Sequence, residues 1–139
     1  MALGRLALPA NNSVEDFVDE LNSRVFLWAG TASHPIESGR NHFARYSSEG
    51  KVFILRVPLA ALLRDNAEQE LQVTFCNSGA ARHHHGQPAQ RGSDTFVSPS
   101  LASRRPAEVV ELTFRGDVTL PSETLYADSL AGAWLSLKA

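Results

Sequence analysis

The stretch Leu71-Gln72-Val73-Thr74-Phe75-Cys76-Asn77-Ser78-Gly79 changes from a strand pattern to a turn pattern. Leu71, Val73 and Phe75 alternate with polar residues, which predicts a half-buried β-strand because successive strand side chains point to opposite faces. Gly79 is compatible with a positive φ angle, and the backbone N–H groups of such a turn can face an anion. The same tripeptide is common in turns that only close a strand. Both interpretations of the turn stay open.

A polar loop over residues 77–95 ends in the segment Arg91-Gly92-Ser93-Asp94-Thr95-Phe96. So long a connection is uncommon in a compact domain unless it is a binding surface or disordered. The guanidinium of Arg91 can bind a phosphate in a bidentate manner, and Gly92 lets the backbone approach it. Asp94 can instead pair with Arg91 inside the loop, so ligand contact and loop architecture explain the segment equally well.

One carboxylate interrupts the apolar run Val109-Val110-Glu111-Leu112, which lies in a strand predicted over residues 107–114. The apolar residues at alternate positions share one face, which puts Glu111 on the opposite face. Because carboxylates are usually exposed, the pattern alone favours a solvated glutamate. The functional alternative is that Glu111 opens into a cleft beside the polar loop.

The rest of the chain predicts short helices interspersed among strands. Helices are expected over 14–22, with Ser13 as N-cap, over 38–46, and after Pro58 with an apolar face of Leu59, Leu62 and Leu63; further strands are expected over 24–28 and 51–57. The unbroken apolar run Val52-Phe53-Ile54-Leu55 predicts a central strand covered on both faces. We therefore predict a small α+β fold with a mixed, mainly antiparallel sheet, comprising an irregular arm over 1–12 and one domain over 13–139.

Composition excludes several classes of function. A net charge of −2 gives no general attraction to nucleic acid or lipid. The single cysteine, Cys76, excludes an internal disulfide and fits a reducing compartment. No apolar run has the length of a membrane span, and the N-terminus lacks the apolar core of a signal peptide, so we expect a soluble, cytoplasmic protein.

Histidines supply two further candidates. The run His83-His84-His85 predicts a solvated loop tract rather than a metal site, because zinc sites favour spaced ligands. The predicted helix 38–46 places His42 and Arg45 side by side, although surface helices often carry such pairs.

Four blocks occur in order: Leu21-Asn22-Ser23-Arg24-Val25-Phe26-Leu27-Trp28, Asn77-Ser78-Gly79, Arg91-Gly92-Ser93-Asp94-Thr95-Phe96 and Val109-Val110-Glu111-Leu112. They resemble an uncharacterised bacterial family of unknown function with LN-x-[KR]-VFFW, NSG, RG-x-DTF and VVEL blocks. That family is in turn similar to the ADP-ribosyltransferase fold, especially the DarT-like enzymes that modify DNA bases using NAD. The resemblance thus implies an ADP-ribosyltransferase-like fold and NAD as cofactor.

The resemblance also implies roles for individual residues. Glu111 matches the transferase glutamate, which stabilises positive charge on the ribose as nicotinamide leaves. The implied cofactor contacts are His42, Arg45, Asn77, Ser78, Gly79, Arg91 and Thr95. Such transferases usually begin with a strand that carries a ribose-binding histidine, which this chain starts too late to supply. Three alternatives stay open for the site: a partner chain or a second copy completes it, it is reshaped, or it is lost. The implied acceptor is a protein or a nucleic acid.

Two alternatives accompany the transferase hypothesis. The first is a non-enzymatic ligand- or protein-binding module that kept the fold and lost catalysis, with residues 77–95 as its surface. The second is a metal-binding protein that uses the histidine run.

Overall fold

The computed structural model describes residues 6–30, 37–80 and 87–137. It divides into two compact units. The first joins Met1–Leu27 to Glu70–Asp117, and the second joins Trp28–Gln69 to Val118–Ala139. The prediction of a single domain over 13–139 stays a prediction.

Three short helices alternate with eight short strands in the described residues. The helices are α1 (Val14–Asn22), α2 (Glu37–Glu49) and α3 (Leu59–Asp65). The strands are β1 (Leu6–Ala7), β2 (Arg24–Trp28), β3 (Ile54–Arg56), β4 (Leu71–Thr74), β5 (Ala89–Gln90), β6 (Glu111–Arg115), β7 (Leu125–Ala127) and β8 (Leu135–Ser136). The prediction of a mixed helix-and-strand fold with small, mainly antiparallel sheets is confirmed at this level. None of the helices in these residues has the length and apolar character needed to cross a lipid bilayer.

The main sheet of the first unit has the strand order β2-β6-β4. β4 and β6 are antiparallel, with Thr74 opposite Glu111 and Leu71 opposite Phe114. Because β6 is the central strand, its side chains are buried on both faces, with Phe114 at 0 % and Thr113 at 0 % exposure. The predicted strand over 107–114 was too long at its start, since residues 106–108 form a single 3₁₀ turn.

Helix α1 begins where the sequence predicts. The Ser13 side chain accepts a hydrogen bond from the Asp16 N–H, and the Asp16 carboxylate accepts one from the Ser13 N–H. This capping box satisfies two backbone donors that a helix end otherwise leaves free. Phe17 fixes the helix to the core with 2 % exposure.

A second, two-stranded sheet lies in the first unit. β1 pairs with β5 in parallel, with Leu6 opposite Ala89, so the arm expected to be irregular contains a short strand. Gly92, two residues after the end of β5, has a φ of 152°. A Cβ at Gly92 would lie 2.9 Å from the Pro9 side chain. The glycine is therefore required both by its backbone angle and by the close approach of the arm.

The sheet of the second unit has the strand order β3-β7-β8. β3 is thus an edge strand of three residues, and the prediction of a central strand over 51–57 was wrong. Phe53 is 53 % exposed and Leu55 is 45 % exposed. An unbroken apolar run indicates a strand, but it does not determine which strands flank it, because pairing is non-local.

Helix α3 packs through fewer residues than its pattern predicts. Leu62 is buried, whereas Leu59 and Leu63 are exposed at 46 % and 37 %. Asn66 ends the helix and is buried; its side chain donates to the Leu62 and Thr119 carbonyls and accepts from the Thr119 N–H, each at 2.8 Å. These three hydrogen bonds tie the end of α3 to the segment before β7.

Candidate functional site

The turn after β4, Asn77–Ala80, is the centre of the candidate site. Ala80 N–H donates to the Asn77 carbonyl at 3.2 Å, which closes the turn. Gly79 does not have a positive φ, and a Cβ placed there would lie 4.0 Å from Asn77 Oδ1. The positive φ that glycine permits at position 79 is therefore not used. The strained glycine is Gly92 in the other signature.

Glu111 is held against this turn and is 2 % exposed. Ser78 N–H donates to its carboxyl group, at 3.2 Å from Oε2 and 3.4 Å from Oε1. Thr74 Oγ1, on the neighbouring strand, lies 2.8 Å from Glu111 Oε2. The expectation of a solvated glutamate was wrong, because β6 is central and the turn covers the face that carries Glu111.

Arg91 holds the same turn through backbone carbonyl oxygens. Its Nε donates to the Ser78 carbonyl at 3.2 Å, and its Nη2 donates to the carbonyls of Asn77 and Ala80 at 3.0 and 3.1 Å. Its Nη1 donates to the carbonyl of Gln90 at 2.7 Å. The turn thus offers an N–H group to Glu111 and carbonyl groups to Arg91. Arg91 therefore has a definite architectural role.

Arg91 also lines a cavity of about 570 Å³ in the first unit. Gly92, Asp94 and Thr95 share this wall, while Glu111, Asn77 and Ser78 are not among the described lining residues. Thr95 Oγ1 accepts from the Gly92 N–H at 3.0 Å, so Thr95 shapes the cavity wall through a local turn. Of the predicted cofactor contacts, Arg91 and Thr95 therefore line the cavity. Glu111, the predicted catalytic residue, is not among its described lining residues.

The sequence did not single out Arg104, which lies on the same cavity wall. Its guanidinium stands 5.3 Å from the centre of the Phe75 ring, another lining residue. Within the described residues neither Arg91 nor Arg104 forms an ion pair. No local sequence pattern around Arg104 marks it as a site residue. Its place on the cavity wall depends on a tertiary contact with Phe75, the residue that follows β4.

Cys76 completes the wall next to Phe75. Burial raises the pKa of its thiol, and Glu111 adds to this effect, whereas the charges of Arg91 and Arg104 oppose it. A thiol with a raised pKa stays protonated near neutral pH and is a weak nucleophile. The cavity is therefore better suited to binding than to thiol chemistry.

His42 and Arg45, the other predicted cofactor contacts, lie in α2 of the second unit. The His42 ring packs beside Trp28, with 5.0 Å between ring centres, and beside Tyr46 at 5.8 Å. The Arg45 side chain is 76 % exposed and lies 3.5 Å from Glu49 one helical turn away. In the described structure His42 is thus part of aromatic packing, and Arg45 is part of a surface helical pair.

The histidine run 83–85 lies outside the described residues. Among the residues that are described, no group of three or more histidine, cysteine or acidic side chains is arranged to hold a metal ion. The metal hypothesis for residues 83–85 stays a prediction.

Comparison with known proteins gives one match. Neither a curated protein nor a solved structure matches this sequence. A family of unknown function, DUF7002, matches residues 1–125, which span the whole first unit and most of the second. The chain therefore belongs to the DUF7002 family of unknown function.

Proposed function

We propose that this chain is a binding module for a phosphate-bearing nucleotide, with NAD or a related dinucleotide as the ligand. The observation that carries the proposal is the presence of Arg91 and Arg104, neither ion-paired within the described residues, on the wall of one cavity. The ADP-ribosyltransferase-like fold remains part of the proposal.

Size and charge both support a nucleotide. A volume of about 570 Å³ lies within the roughly 300–1,000 Å³ of small-molecule sites. Among the described lining residues, two guanidinium groups and the single carboxylate of Asp94 give the wall an excess of positive charge. The carbonyl groups that accept hydrogen bonds from Arg91 are neutral and do not cancel its positive charge. The donors of a guanidinium group match the geometry of phosphate oxygens. Because the net charge of the whole chain is −2, the excess of positive charge is confined to the cavity wall.

Thermal unfolding in the presence of NAD tests the proposal. A ligand at 100 times its dissociation constant adds about 2.7 kcal/mol to the free energy of unfolding. At about 4 °C per kcal/mol for a chain of this size, we expect Tm to rise by about 10 °C. Arg104→Gln should remove most of this rise without lowering the Tm of the free protein, because Arg104 is exposed.

A neighbouring residue supplies the matched control. Arg105 is also exposed but pairs with Glu108 at 3.3 Å, and it does not line the described cavity. Arg105→Gln should keep the full effect of NAD on Tm. Equal losses in both variants would indicate general charge attraction. No rise at millimolar NAD in the unmodified protein would favour a module for a protein partner instead.

A second candidate function is ADP-ribosyl transfer from NAD to a protein or nucleic-acid acceptor, with Glu111 as the catalytic residue. It is favoured by one observation: Glu111 and Arg91 hold the same turn, through Ser78 N–H and Ser78 carbonyl respectively. Transfer or hydrolysis releases nicotinamide, which chromatography measures directly. On this hypothesis the release occurs in the unmodified protein and falls at least 100-fold in Glu111→Gln. Release that persists in that variant contradicts a catalytic role for Glu111.

A further inference from the structure

One wall of the cavity in the first unit comes from the N-terminal arm. Ala7, Leu8 and Pro9 line the cavity, whereas the other described lining residues lie between positions 75 and 104. We call residues 6–9 the strap. Its side chains are half-buried or exposed, and none of them is fully buried in the core. The cavity therefore has one wall that is only lightly anchored.

A short ladder and one close contact hold the strap in place. β1 pairs in parallel with β5 over two residue pairs, and the Arg91 N–H donates to the Ala7 carbonyl at 3.0 Å. Parallel pairing is slightly less stable per residue than antiparallel pairing, and two strands alone are only marginally stable in water. The Pro9 ring lies so close to Gly92 that a Cβ at position 92 would be 2.9 Å from Pro9 Cδ.

The rest of the first unit has anchors that do not involve the strap. Helix α1 begins with its own capping box at Ser13, and Phe17 fixes it to the core. β4 pairs with β6, and the Val73 N–H donates to the Val97 carbonyl at 2.8 Å. Segments with few buried contacts open at a lower free energy than the core does. The strap can therefore separate from β5 while α1 and the main sheet stay folded.

Separation of the strap would expose the cavity wall that carries Phe75, Cys76 and Val97. Because apolar surface is unfavourable in water, the paired position is preferred in the free protein. We propose that the strap is a gate to the cavity: a ligand enters when β1 leaves β5, and the contact between Pro9 and Gly92 sets the closed position. The proposal rests on the function proposed above only for the identity of the ligand.

Hydrogen exchange tests the gate in the unmodified protein, because the Arg91 amide donates to the strap at Ala7. This amide should be protected relative to an unstructured peptide. Its exchange rate should not change with urea below the unfolding transition, since opening so short a segment exposes little surface. The Val73 amide should exchange only by global unfolding, at a rate that rises steeply with urea. The same urea dependence for both amides overturns the proposal.

Labelling with a thiol reagent measures access to the cavity. Cys76 is the only cysteine of the chain and lies on the cavity wall, so one reaction reports on one place. Gly92→Ala forces a Cβ against the Pro9 ring, and such overpacking should raise the open fraction of the strap about tenfold. The labelling rate and the exchange rate of the Arg91 amide should rise together. Faster exchange at Arg91 with unchanged labelling of Cys76 contradicts a gate.

Pro9→Ala provides the matched background, because it removes the Cγ and Cδ atoms that the added Cβ would meet. In this background Gly92→Ala should raise both rates clearly less. Strain from the positive φ at position 92 is common to both backgrounds, so an equal rise would come from that strain and contradicts the proposal. The Val73 amide, followed in each variant, separates strap opening from global destabilisation. No nucleotide is used, so failure of the nucleotide proposal would leave these outcomes unchanged.

Discussion

Glu20→Gln should lower the free energy of unfolding by about 3 kcal/mol at pH 7, because it leaves a buried arginine without its ion pair. Glu20 lies in the last turn of α1 and accepts from Arg24 Nε at 3.1 Å and from Arg24 Nη2. The Arg24 side chain is only 4 % exposed. Its guanidinium also stacks over the Phe96 ring at 3.9 Å. Its remaining described hydrogen bond, from Nη1 to Thr113 Oγ1 at 3.3 Å, is to a neutral hydroxyl group.

The loss should depend on pH in a defined direction. Burial alone would raise the pKa of Glu20, but the hydrogen bonds and charges of Arg24 and Arg115 outweigh it and hold the pKa below its usual value. A lowered folded pKa gives stability that is present above the unfolded value of about 4.3 and is lost as pH falls through the folded value. The difference between the two proteins should therefore be constant from pH 7 to about pH 5 and shrink below pH 4. Urea unfolding at several pH values measures it.

Two variants make the interpretation specific. Arg24→Met removes the same ion pair but leaves an apolar side chain beside the Phe96 ring, and Glu20 keeps its contact with Arg115. It should cost clearly less than Glu20→Gln, since replacing a buried charge by a hydrophobic residue is often neutral. Asp19→Asn, on the exposed side of α1, should change stability by less than about 0.5 kcal/mol. Equal losses for Arg24→Met and Glu20→Gln would mean that packing, not the unpaired charge, dominates.

Features set by residues close together in the sequence were predicted correctly, whereas features set by distant segments were not. Helix α1 was predicted to within a residue because its signals, Ser13, Asp16 and the apolar spacing up to Leu21, are all local. The burial of Glu111 was not predicted, because alternation within β6 does not reveal that β2 and β4 flank it on both sides. A strand pattern determines which side chains share a face, but the cover over each face comes from distant segments.

The candidate site shows the same limit. The two signatures at 77–79 and 91–96 are brought together through the hydrogen bonds from Arg91 to the turn. The role of Arg91 was left open between ligand and architecture, and the described contacts show that it has an architectural part. Arg104 was missed because its place on the cavity wall depends on Phe75, far away along the chain.

Arg91→Ala should lower the free energy of unfolding by about 3 kcal/mol, because four carbonyl groups lose a charged donor. Hydrogen bonds to a charged group contribute about 1.5–3 kcal/mol each when buried. The side chain of Arg91 is only half-buried, and water can replace part of the loss, so the sum is well below four full contributions. Arg91→Lys should recover only part of the stability, because one ammonium group cannot reproduce the planar fork of donors.

Hydrogen exchange locates the effect of Arg91→Ala. The amide of Ala80, which closes the turn, should exchange faster in this variant, whereas the amide of Phe17 in α1 should change only in proportion to global stability. In Arg104→Gln both amides should behave as in the unmodified protein, whereas most of the proposed effect of NAD on Tm should be lost. These two results together would separate the architectural role of Arg91 from the binding role proposed for Arg104. A stable Arg91→Ala with unchanged exchange at Ala80 would instead mean that the four carbonyl contacts contribute little, and that the guanidinium of Arg91 is held in place chiefly for a ligand.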